Sequence, residues 1–351
     1  MKSGKIYAVI LAGGGGDRLW PVSTPESPKQ FLDLFGDKPL IRHSVDRLKG
    51  FVPPERTLIV TSAALVGKTR KVLPTIPKEN IIGEPMRRDT AAAMAVACGL
   101  VKRLGGPDAV ACVLAADQLM SPDTKVRRVL KQAAKVASEV EAIVTLGIVP
   151  TYPATGFGYI ESGSPLAFKG LTRFNQVKRF VEKPDEKTAR RYLKNCAFRW
   201  NAGMFIWKTS VLEAAFKKHA ADIASLIDEV AAAKNVEVLL KRRYEAVRKI
   251  SFDFAVMEKL GNIVVAECDF KWDDVGSWQS LANHLTHDSA DNVLQGEISL
   301  LDSSGIIAVN KGNHRLALLG LKDVVVVHTP QATLVCARDR VQEIKKLLSV
   351  K

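Results

Sequence analysis

Long apolar runs are missing from this sequence. No stretch approaches the roughly 18 consecutive apolar residues that a membrane-spanning helix needs. The short apolar run that follows Lys5 leads into glycines and lacks the small-residue cleavage pattern of a signal peptide. We therefore expect a soluble chain that stays in the cytoplasm.

Cysteines are also few. The five are widely spaced, stand in apolar contexts and include no C-x-x-C pair of the kind that binds zinc. This pattern predicts buried, reduced thiols and no disulfide framework. The five residues are Cys98, Cys112, Cys196, Cys268 and Cys336.

Two common nucleotide-binding patterns are absent from the glycine-rich stretch near the N-terminus. Arg18 stands where G-x-G-x-x-G has its third glycine, and no Gly-Lys-Ser/Thr follows. The first absence argues against a nucleotide-dependent dehydrogenase. The apolar run Ile6–Leu11 nevertheless predicts a buried strand that ends at four consecutive glycines. Such a loop is either a plain turn or a cradle whose N–H groups bind phosphate.

Two cations follow this loop, Arg18 and Lys29, and three prolines separate them. Proline favours an extended, stiff path over a helix. Fixed cations beside a glycine-rich loop suit a triphosphate whose leaving group gains negative charge.

The bulk composition is that of an ordinary globular protein. The 351 residues are 47% hydrophobic and 25% charged, with a formal net charge of +14. Lysine and arginine are dispersed, and the densest cluster, LLKRRYEAVRK, is typical of one solvated helix face. We therefore expect no nucleic-acid partner, although a positive field attracts small polyanions such as nucleotides and sugar phosphates.

As far as about residue 150, apolar runs alternate with helical patterns. This alternation predicts an α/β fold with a mostly parallel sheet and helices on both faces. Strands are predicted at 6–11, 57–61, 80–83, 109–115 and 142–149, and helices at 39–49, 63–73, 90–104 and 123–140. An apolar stripe in the helical block 209–260 predicts core packing.

From about Asp291 the chain changes character. Short β-rich pieces follow one another between turns, and no helical pattern intervenes before the amphipathic segment 338–348. This predicts a small β domain or a turn of β-helix, closed by a helix. The expected domains are residues 1–287 and 288–351.

Eight short elements occur in order along the chain: LAGGGGDR, PKQF, EPMRRDTA, AD, GFGYIE, FVEKP, WNAGMF and WDDVGSW. Together they closely resemble the sugar-nucleotide pyrophosphorylases, and specifically the mannose-1-phosphate guanylyltransferases. The resemblance covers nearly the whole chain. It implies a Rossmann-like, GT-A type nucleotidyltransferase domain with a small C-terminal β-helix-like domain. The implied reaction converts GTP and mannose 1-phosphate into GDP-mannose and pyrophosphate, with Mg²⁺ as the cofactor.

The resemblance also implies roles for individual residues. The catalytic cations are Arg18, Lys29 and Lys183, and the metal ligands are Asp117 and Asp274. The nucleotide-binding residues are Leu11, Ala12, Gly13, Gly14, Gly15, Gly16, Glu84, Arg88, Asp89 and Thr90. The sugar-phosphate residues are Gly156, Gly158, Tyr159, Glu182, Lys183, Asn201 and Gly203.

Several of these residues could instead have ordinary structural roles. Asp89 or Thr90 can simply cap a helix, and a lone Asp117 at a strand end is often a turn residue. Neighbouring aspartates in an extended segment point to opposite sides, so we expect at most one of Asp273 and Asp274 to reach a shared metal. The resemblance implies that this residue is Asp274.

The sequence departs from the family pattern at two places, and several properties stay open. Gln118 replaces the usual His, and Pro330-Gln331 replaces two acidic residues. Residue chemistry alone does not separate mannose from glucose, so another nucleotide and sugar pair is the alternative activity. A silent sugar-nucleotide sensor is the alternative of a different class, and a homodimer is the expected assembly.

Overall fold

The computed structural model describes residues 4–36 and 38–349. Contacts between Cα atoms divide these residues into two compact units. The first unit contains the described residues up to 13, then 44–115 and 120–272. The second contains the described residues of 14–43, then 116–119 and the described residues from 273 onward. The boundary expected from the sequence, after residue 287, stays a prediction.

The strands are β1 (Ile6–Ala12), β2 (Thr57–Ser62), β3 (Ile81–Glu84), β4 (Val110–Ala115), β5 (Leu119–Ser121), β6 (Ile143–Ile148), β7 (Tyr159–Pro165), β8 (Phe174–Val181), β9 (Phe198–Lys208), β10 (Ile263–Glu267), β11 (Lys271–Asp273), β12 (Val293–Gln295), β13 (Ile298–Leu301), β14 (Ile307–Asn310), β15 (Leu316–Leu319), β16 (Val324–His328) and β17 (Thr333–Ala337). The α-helices are α1 (Leu40–Asp46), α2 (Val66–Val72), α3 (Asp89–Gly105), α4 (Asp123–Glu139), α5 (Glu186–Leu193), α6 (Thr209–His219), α7 (Ala221–Ala232), α8 (Val236–Arg243), α9 (Phe252–Ala255), α10 (Trp278–Ala282) and α11 (Ile344–Leu347). Short 3₁₀ helices connect several of them, including Asp17–Leu19 and Lys29–Phe31.

A sheet of nine strands, counted over the described residues, forms the first unit, in the order β3-β2-β1-β4-β9-β6-β10-β8-β7. Seven strands run in one direction, and β8 and β9 run against them. The predicted mostly parallel α/β sheet is therefore confirmed. Because β1 pairs in parallel with both β2 and β4, it lies inside the sheet, and the loop that follows it leaves from the carboxyl edge.

Helix α3 explains the alanine-rich stretch of the sequence. Its residues 91–101 are all buried, and the helix packs against α7. A Cβ built on Gly99 would lie 2.6 Å from the Ile227 carbonyl oxygen, so small side chains allow this close approach. The apolar stripe predicted to be core is confirmed: Phe216, Ile223, Leu226, Ile227 and Val230 belong to one buried cluster.

The second unit contains the short C-terminal strands. Strands β12, β14 and β16 pair in parallel, and β17 adds antiparallel to β16. Strands β13 and β15, which alternate with β12, β14 and β16 along the chain, form a second parallel pair. This stacking of short parallel strands is the β-helix-like arrangement that the sequence predicts. The final segment is less regular than the single helix expected there: residues 338–343 form a 3₁₀ helix and only α11 is α-helical.

Two details differ from the sequence-based expectations. Cys98, Cys112 and Cys268 are buried as predicted, but Cys196 is exposed and Cys336 is half-buried, and all five are free. In sequence, Asn201 and Gly203 stand before an apolar run and could form a plain turn, but strand β9 begins at Phe198 and contains both residues. Across residues 4–36 and 38–349, no helix is both long enough and apolar enough to cross a membrane.

Candidate active site

The loop that follows β1 depends on glycine at its last position. Gly16 has a left-handed φ of 70°, and a Cβ there would collide with the Cβ of Lys29. The Ser23 hydroxyl donates a hydrogen bond to the Gly15 carbonyl oxygen at 2.9 Å. The Leu19 N–H donates to the Gly16 carbonyl oxygen, also at 2.9 Å. These bonds fix the path of the loop into the 3₁₀ turn Asp17–Leu19. Leu11 and Ala12 form the last two positions of β1, directly before the loop.

A cavity of about 250 Å³ in the second unit brings together four residues that the sequence places in three separate segments. Arg18, Lys29, Asp117 and Asp274 all line it. Its remaining walls are Gly16, Asp17, Leu19, Gly276 and Lys345. This volume lies just below the roughly 300–1,000 Å³ of whole-ligand pockets, which suits one part of a substrate, such as its phosphates.

Lys29 is the buried cation of this cavity, with 4% of its surface exposed. Its Nζ lies 2.8 Å from Asp117 Oδ2 and also donates to the backbone carbonyl oxygen of Asp274. A buried ammonium needs such partners, because an unpaired charge away from water is costly. An ammonium has three protons, so Lys29 retains one for a ligand.

The two neighbouring aspartates have different surroundings. Asp273 accepts hydrogen bonds from Ser280 Oγ at 2.5 Å, from the Val275 N–H at 2.7 Å and, at 2.8 Å, contacts His284 Nε2. Burial raises the pKa of Asp273, but the bonds from His284, Ser280 and Val275 outweigh it and leave this pKa below its ordinary value. Asp273 therefore belongs to the scaffold of its turn.

Asp274, by contrast, faces the cavity. Burial raises its pKa, the charge of Lys29 lowers it, and the charges of Asp273 and Asp117 raise it again, so the pKa of Asp274 lies above its usual range. The next residue, Val275, has a left-handed φ of 48°, which is rare for a β-branched side chain. The Asp273 carboxylate holds the Val275 N–H in this strained turn and so helps to present Asp274.

These two carboxylates fit a divalent cation. The second unit provides oxygen ligands from Asp117 and Asp274 beside one cavity, and Asp274 carries a poorly compensated buried charge. Mg²⁺ typically takes one or two carboxylates and keeps several waters or phosphate oxygens. Among the described residues, no cluster of three or more His, Cys, Asp or Glu side chains is placed to hold a metal. The two carboxylates beside the cavity suit a cation that needs few protein ligands.

In the first unit, Glu84 ends β3 and is 9% exposed. Its Oε1 accepts a hydrogen bond from the Tyr244 hydroxyl, and its Oε2 would lie 3.2 Å from a Cβ built on Gly13. Burial raises the pKa of Glu84 to about 7, against the opposing effect of the Tyr244 bond. The pKa of Tyr244 is raised by its own burial, by the Glu84 charge and by their hydrogen bond.

Three predicted nucleotide-binding residues near α3 also have structural partners. Arg88 donates to the carbonyl oxygens of Tyr244 and Glu245, which fixes the segment that carries Tyr244. Asp89 has a left-handed φ of 63°, and its carboxylate accepts the Thr90 N–H at 2.8 Å. The Thr90 hydroxyl accepts the N–H of Phe252 at 2.8 Å. The Asp89 carboxylate therefore binds the N–H of the next residue. The N-cap position of α3 is Arg88, whose side chain makes no capping hydrogen bond, so Asp89 is not the N-cap residue that the alternative allowed.

The predicted sugar-phosphate residues of the first unit lie around the end of β8. Lys183 has a left-handed φ of 45°, and its Nζ lies 2.5 Å from Glu182 Oε1. Glu258 Oε1 accepts the backbone N–H of Glu182 at 2.9 Å and so anchors this turn. A Cβ on Gly158 would lie 2.5 Å from Glu182 Oε2, so a larger residue there would require this carboxylate to shift.

Asn201 is held in one orientation. Its Oδ1 accepts from Thr145 Oγ1 at 3.0 Å and from the Gly203 N–H at 3.1 Å, while its Nδ2 donates to Asp253 Oδ1 at 2.9 Å. Gly203 has a left-handed φ of 66° in a bulge of β9, where the register against β6 shifts. One amide proton of Asn201 remains for a ligand.

Two further residues of this group differ in what they offer. Gly156 is exposed, and a Cβ added there would meet nothing within 4 Å. Tyr159 is fully buried, and its ring packs against that of Tyr192 with the centroids 5.3 Å apart. Only the backbone of Tyr159 is therefore available to a ligand.

Sequence reasoning missed Asp253, Tyr244 and Lys345. Burial and the Glu182 charge raise the pKa of Asp253 to about 7. Each of the three residues reaches a predicted site residue from a distant part of the chain, so no local motif marks it. For Asp253 alone, the pattern of an acid between phenylalanines in FDF, residues 252–254, gave a weak signal.

Comparison with known proteins identifies the family of this chain. The nucleotidyl transferase family model matches residues 7–291, and the MannoseP isomerase/GMP-like beta-helix domain matches residues 296–350. Mannose-1-phosphate guanylyltransferase 2 of Escherichia coli O157:H7 is 36% identical over 360 residues, which cover 100% of this chain and 74% of that protein. Mannose-1-phosphate guanylyltransferase of Escherichia coli K12 is 35% identical over 357 residues, 99% of this chain and 74% of that protein. The crystal structure of a mannose-1-phosphate geranyltransferase from Thermus thermophilus matches with a TM-score of 0.87 and 31% identity over 98% of each chain.

Proposed function

Because this chain belongs to the nucleotidyl transferase family, and within it to the mannose-1-phosphate guanylyltransferases, we propose that it makes GDP-mannose and pyrophosphate from GTP and mannose 1-phosphate. The family generally uses a divalent metal, and we propose Mg²⁺ for this member. A cytoplasmic location and a homodimer stay predictions from the sequence.

One observation carries the proposal. The cavity of the second unit joins two cations, Arg18 and Lys29, to two carboxylates, Asp117 and Asp274. Phosphoryl-type transfer needs little covalent chemistry from a protein, and its main requirements are alignment and charge stabilisation. The cavity offers both kinds of group that a metal-bound triphosphate requires.

In the proposed mechanism, Asp117 and Asp274 are the residues that would hold the metal. When bound, Mg²⁺ neutralises phosphate charge and orients the phosphate oxygens. Lys29 keeps the two aspartates in place through its bonds to Asp117 Oδ2 and to the Asp274 carbonyl oxygen. Its third proton, with the Arg18 guanidinium, stabilises the charge that develops on the leaving pyrophosphate.

The sugar phosphate is the proposed nucleophile. Its second pKa of about 6 leaves it substantially ionised near neutral pH, so attack on the α-phosphorus needs no general base. Lys183 would hold this phosphate, and Glu182 would accept from the sugar hydroxyls. Asn201, locked by three hydrogen bonds, would donate its remaining amide proton to a sugar oxygen.

Glu84 is the proposed acceptor for the base. Guanine presents two N–H donors on its pairing edge, and a carboxylate oxygen can accept hydrogen bonds from such donors. Tyr244 already donates to Oε1, which leaves Oε2 to the ligand. The glycine loop, with Gly14 and Gly15, would provide N–H groups to the phosphates.

The test is pyrophosphate release with magnesium, in a grid of the four nucleoside triphosphates against mannose 1-phosphate and glucose 1-phosphate. Release with GTP and mannose 1-phosphate alone is the expected result. Release with another pair would keep the reaction type and overturn the base or the sugar assignment. Release with no pair would favour the silent sensor.

A further inference from the structure

Lys345 lines the same cavity as Arg18 and Lys29, although it comes from the C-terminal β-helix-like part of the chain. It is the second residue of α11, and its side chain is exposed. No sequence motif marks this lysine, because it stands in the amphipathic segment 338–348, in which basic residues alternate with apolar and acidic ones.

Buried neighbours direct Lys345 toward the cavity. Ile344 is 3% exposed and Leu19 is 1% exposed, and both belong to one apolar cluster of the second unit. Helix α11 packs against the 3₁₀ turn Asp17–Leu19. Because Arg18 directly precedes Leu19 and Lys345 directly follows Ile344, the packing of the two apolar residues brings both cations to one wall.

The charges around the cavity leave a place for this third cation. Its walls carry three cations, Arg18, Lys29 and Lys345, and three acids, Asp17, Asp117 and Asp274. A divalent cation held by Asp117 and Asp274 would offset those two negative charges. The three basic residues against Asp17 alone then give a net charge of about +2 toward a bound phosphate group.

We propose that Lys345 is a third phosphate-binding cation of this site and contacts the pyrophosphate group of the nucleotide. The proposal rests on the proposed function and extends it, since it gives the C-terminal β-helix-like domain a direct part in substrate binding.

The chain provides a matched control for this lysine. Lys346 is the next residue of α11 and carries the same charge, but it lies 3.7 Å from Glu343 Oε2 and lines a different groove. Its side chain is 81% exposed. A general effect of surface charge would follow the loss of either lysine, whereas a phosphate contact depends on Lys345 alone.

The experiment measures pyrophosphate binding by calorimetry, with magnesium present, in the full chain and in Lys345→Ala, Lys345→Arg and Lys346→Ala. Because a charge-assisted hydrogen bond at an exposed position would be lost, we expect the dissociation constant for pyrophosphate to be about tenfold higher in Lys345→Ala. Lys345→Arg should retain most of the affinity, and Lys346→Ala should match the wild type. Equal effects of Lys345→Ala and Lys346→Ala, or wild-type affinity in Lys345→Ala, would overturn the proposal, as would a wild-type protein that binds no pyrophosphate.

The outcome is separable from that of the proposed function. A protein that is silent in the substrate grid, yet binds pyrophosphate through Lys345, would lose the proposed activity and keep this site. The opposite outcome is activity with GTP and mannose 1-phosphate and, in the reverse reaction, a Michaelis constant for pyrophosphate that Lys345→Ala leaves unchanged. That outcome would keep the proposed activity and overturn the role of Lys345.

Discussion

Lys29 has two proposed tasks, to hold the two aspartates in place and to stabilise the leaving pyrophosphate, and Arg18 has only the second. Its ammonium bonds to Asp117 and Asp274, whereas Arg18 is exposed at the cavity wall. We expect Lys29→Ala and Arg18→Ala each to lower turnover by about 10²- to 10³-fold, the typical cost of one preorganised transition-state donor. Only Lys29→Ala should also weaken magnesium activation, because it leaves the two aspartates without their shared cation. Steady-state rates over a magnesium titration distinguish the two, and near wild-type turnover in either variant would contradict its assignment.

The aspartate pair allows a second comparison between adjacent residues. Asp274→Ala should lose magnesium-dependent activity and keep the fold, because Asp274 faces the cavity. Asp273→Ala should keep most activity and lose about 1–3 kcal/mol of unfolding free energy, since three donors lose their acceptor. Urea unfolding and pyrophosphate release measure the two properties. The opposite pattern would make Asp273 the metal ligand.

Glu84 predicts a pH dependence of stability. Its pKa is about 7 in the folded chain, against an ordinary value of 4.5, so between these values the folded state binds a proton that the unfolded state has released. Stability from this group is therefore complete below pH 4.5 and falls as pH rises toward 7, by about 3 kcal/mol in total. Glu84→Gln should remove this fall, as urea unfolding at pH 5 and pH 7.5 would show.

The matched control for Glu84 is Glu79→Gln, which changes an exposed glutamate just before β3. It should leave the pH dependence as it is in the wild type. A wild-type slope in Glu84→Gln would mean that the proton binds elsewhere.

At the scale of elements, buried strands and alanine-rich helices were predictable because their periodicity is local. Strands β1, β2 and β4 and helices α3 and α4 lie within a residue or two of the predicted bounds. Strand β12 is not marked in the sequence, because its three residues show no pattern of their own and depend on pairing with β14. The course of β9 is not marked for a related reason: glycine is commonly a turn residue, but Gly203 lies in a bulge within the strand.

Helix α9 and the 3₁₀ turn Met257–Lys259 form a segment whose role is not indicated by any local sequence pattern. It carries Asp253, which binds Asn201, and Glu258, which accepts the Glu182 N–H. Glu258→Ala should free the strained turn at Lys183 and raise the Michaelis constant for mannose 1-phosphate about tenfold, with that for GTP unchanged. Glu258→Gln keeps an acceptor and should stay near the wild type. Equal changes in both Michaelis constants would argue against a role confined to the sugar phosphate.

At the scale of the whole molecule, the N-terminal loop and the C-terminal strands share one apolar cluster. Leu19, Leu32, Leu34 and Leu40 pack in it with residues of β14, β16 and α11. The motifs of the sequence predicted both segments but not this shared core, because residues so far apart in the chain leave no common pattern. Lys345 was missed for the same reason.

This shared core predicts the effect of truncation. A chain that ends at residue 291 would expose these four leucines, whose burial is worth about 6–12 kcal/mol at roughly 1.5–3 kcal/mol each. The buried cluster of the first unit lies wholly before residue 273, so that unit should keep its strands. We expect trypsin to cut the truncated chain rapidly within residues 14–43, at Arg18, Lys29 or Arg42, and we expect no pyrophosphate release. Limited digestion followed by mass spectrometry identifies the cuts, and a truncated chain that resists cleavage there as the full chain does would show that the loop folds without the C-terminal strands.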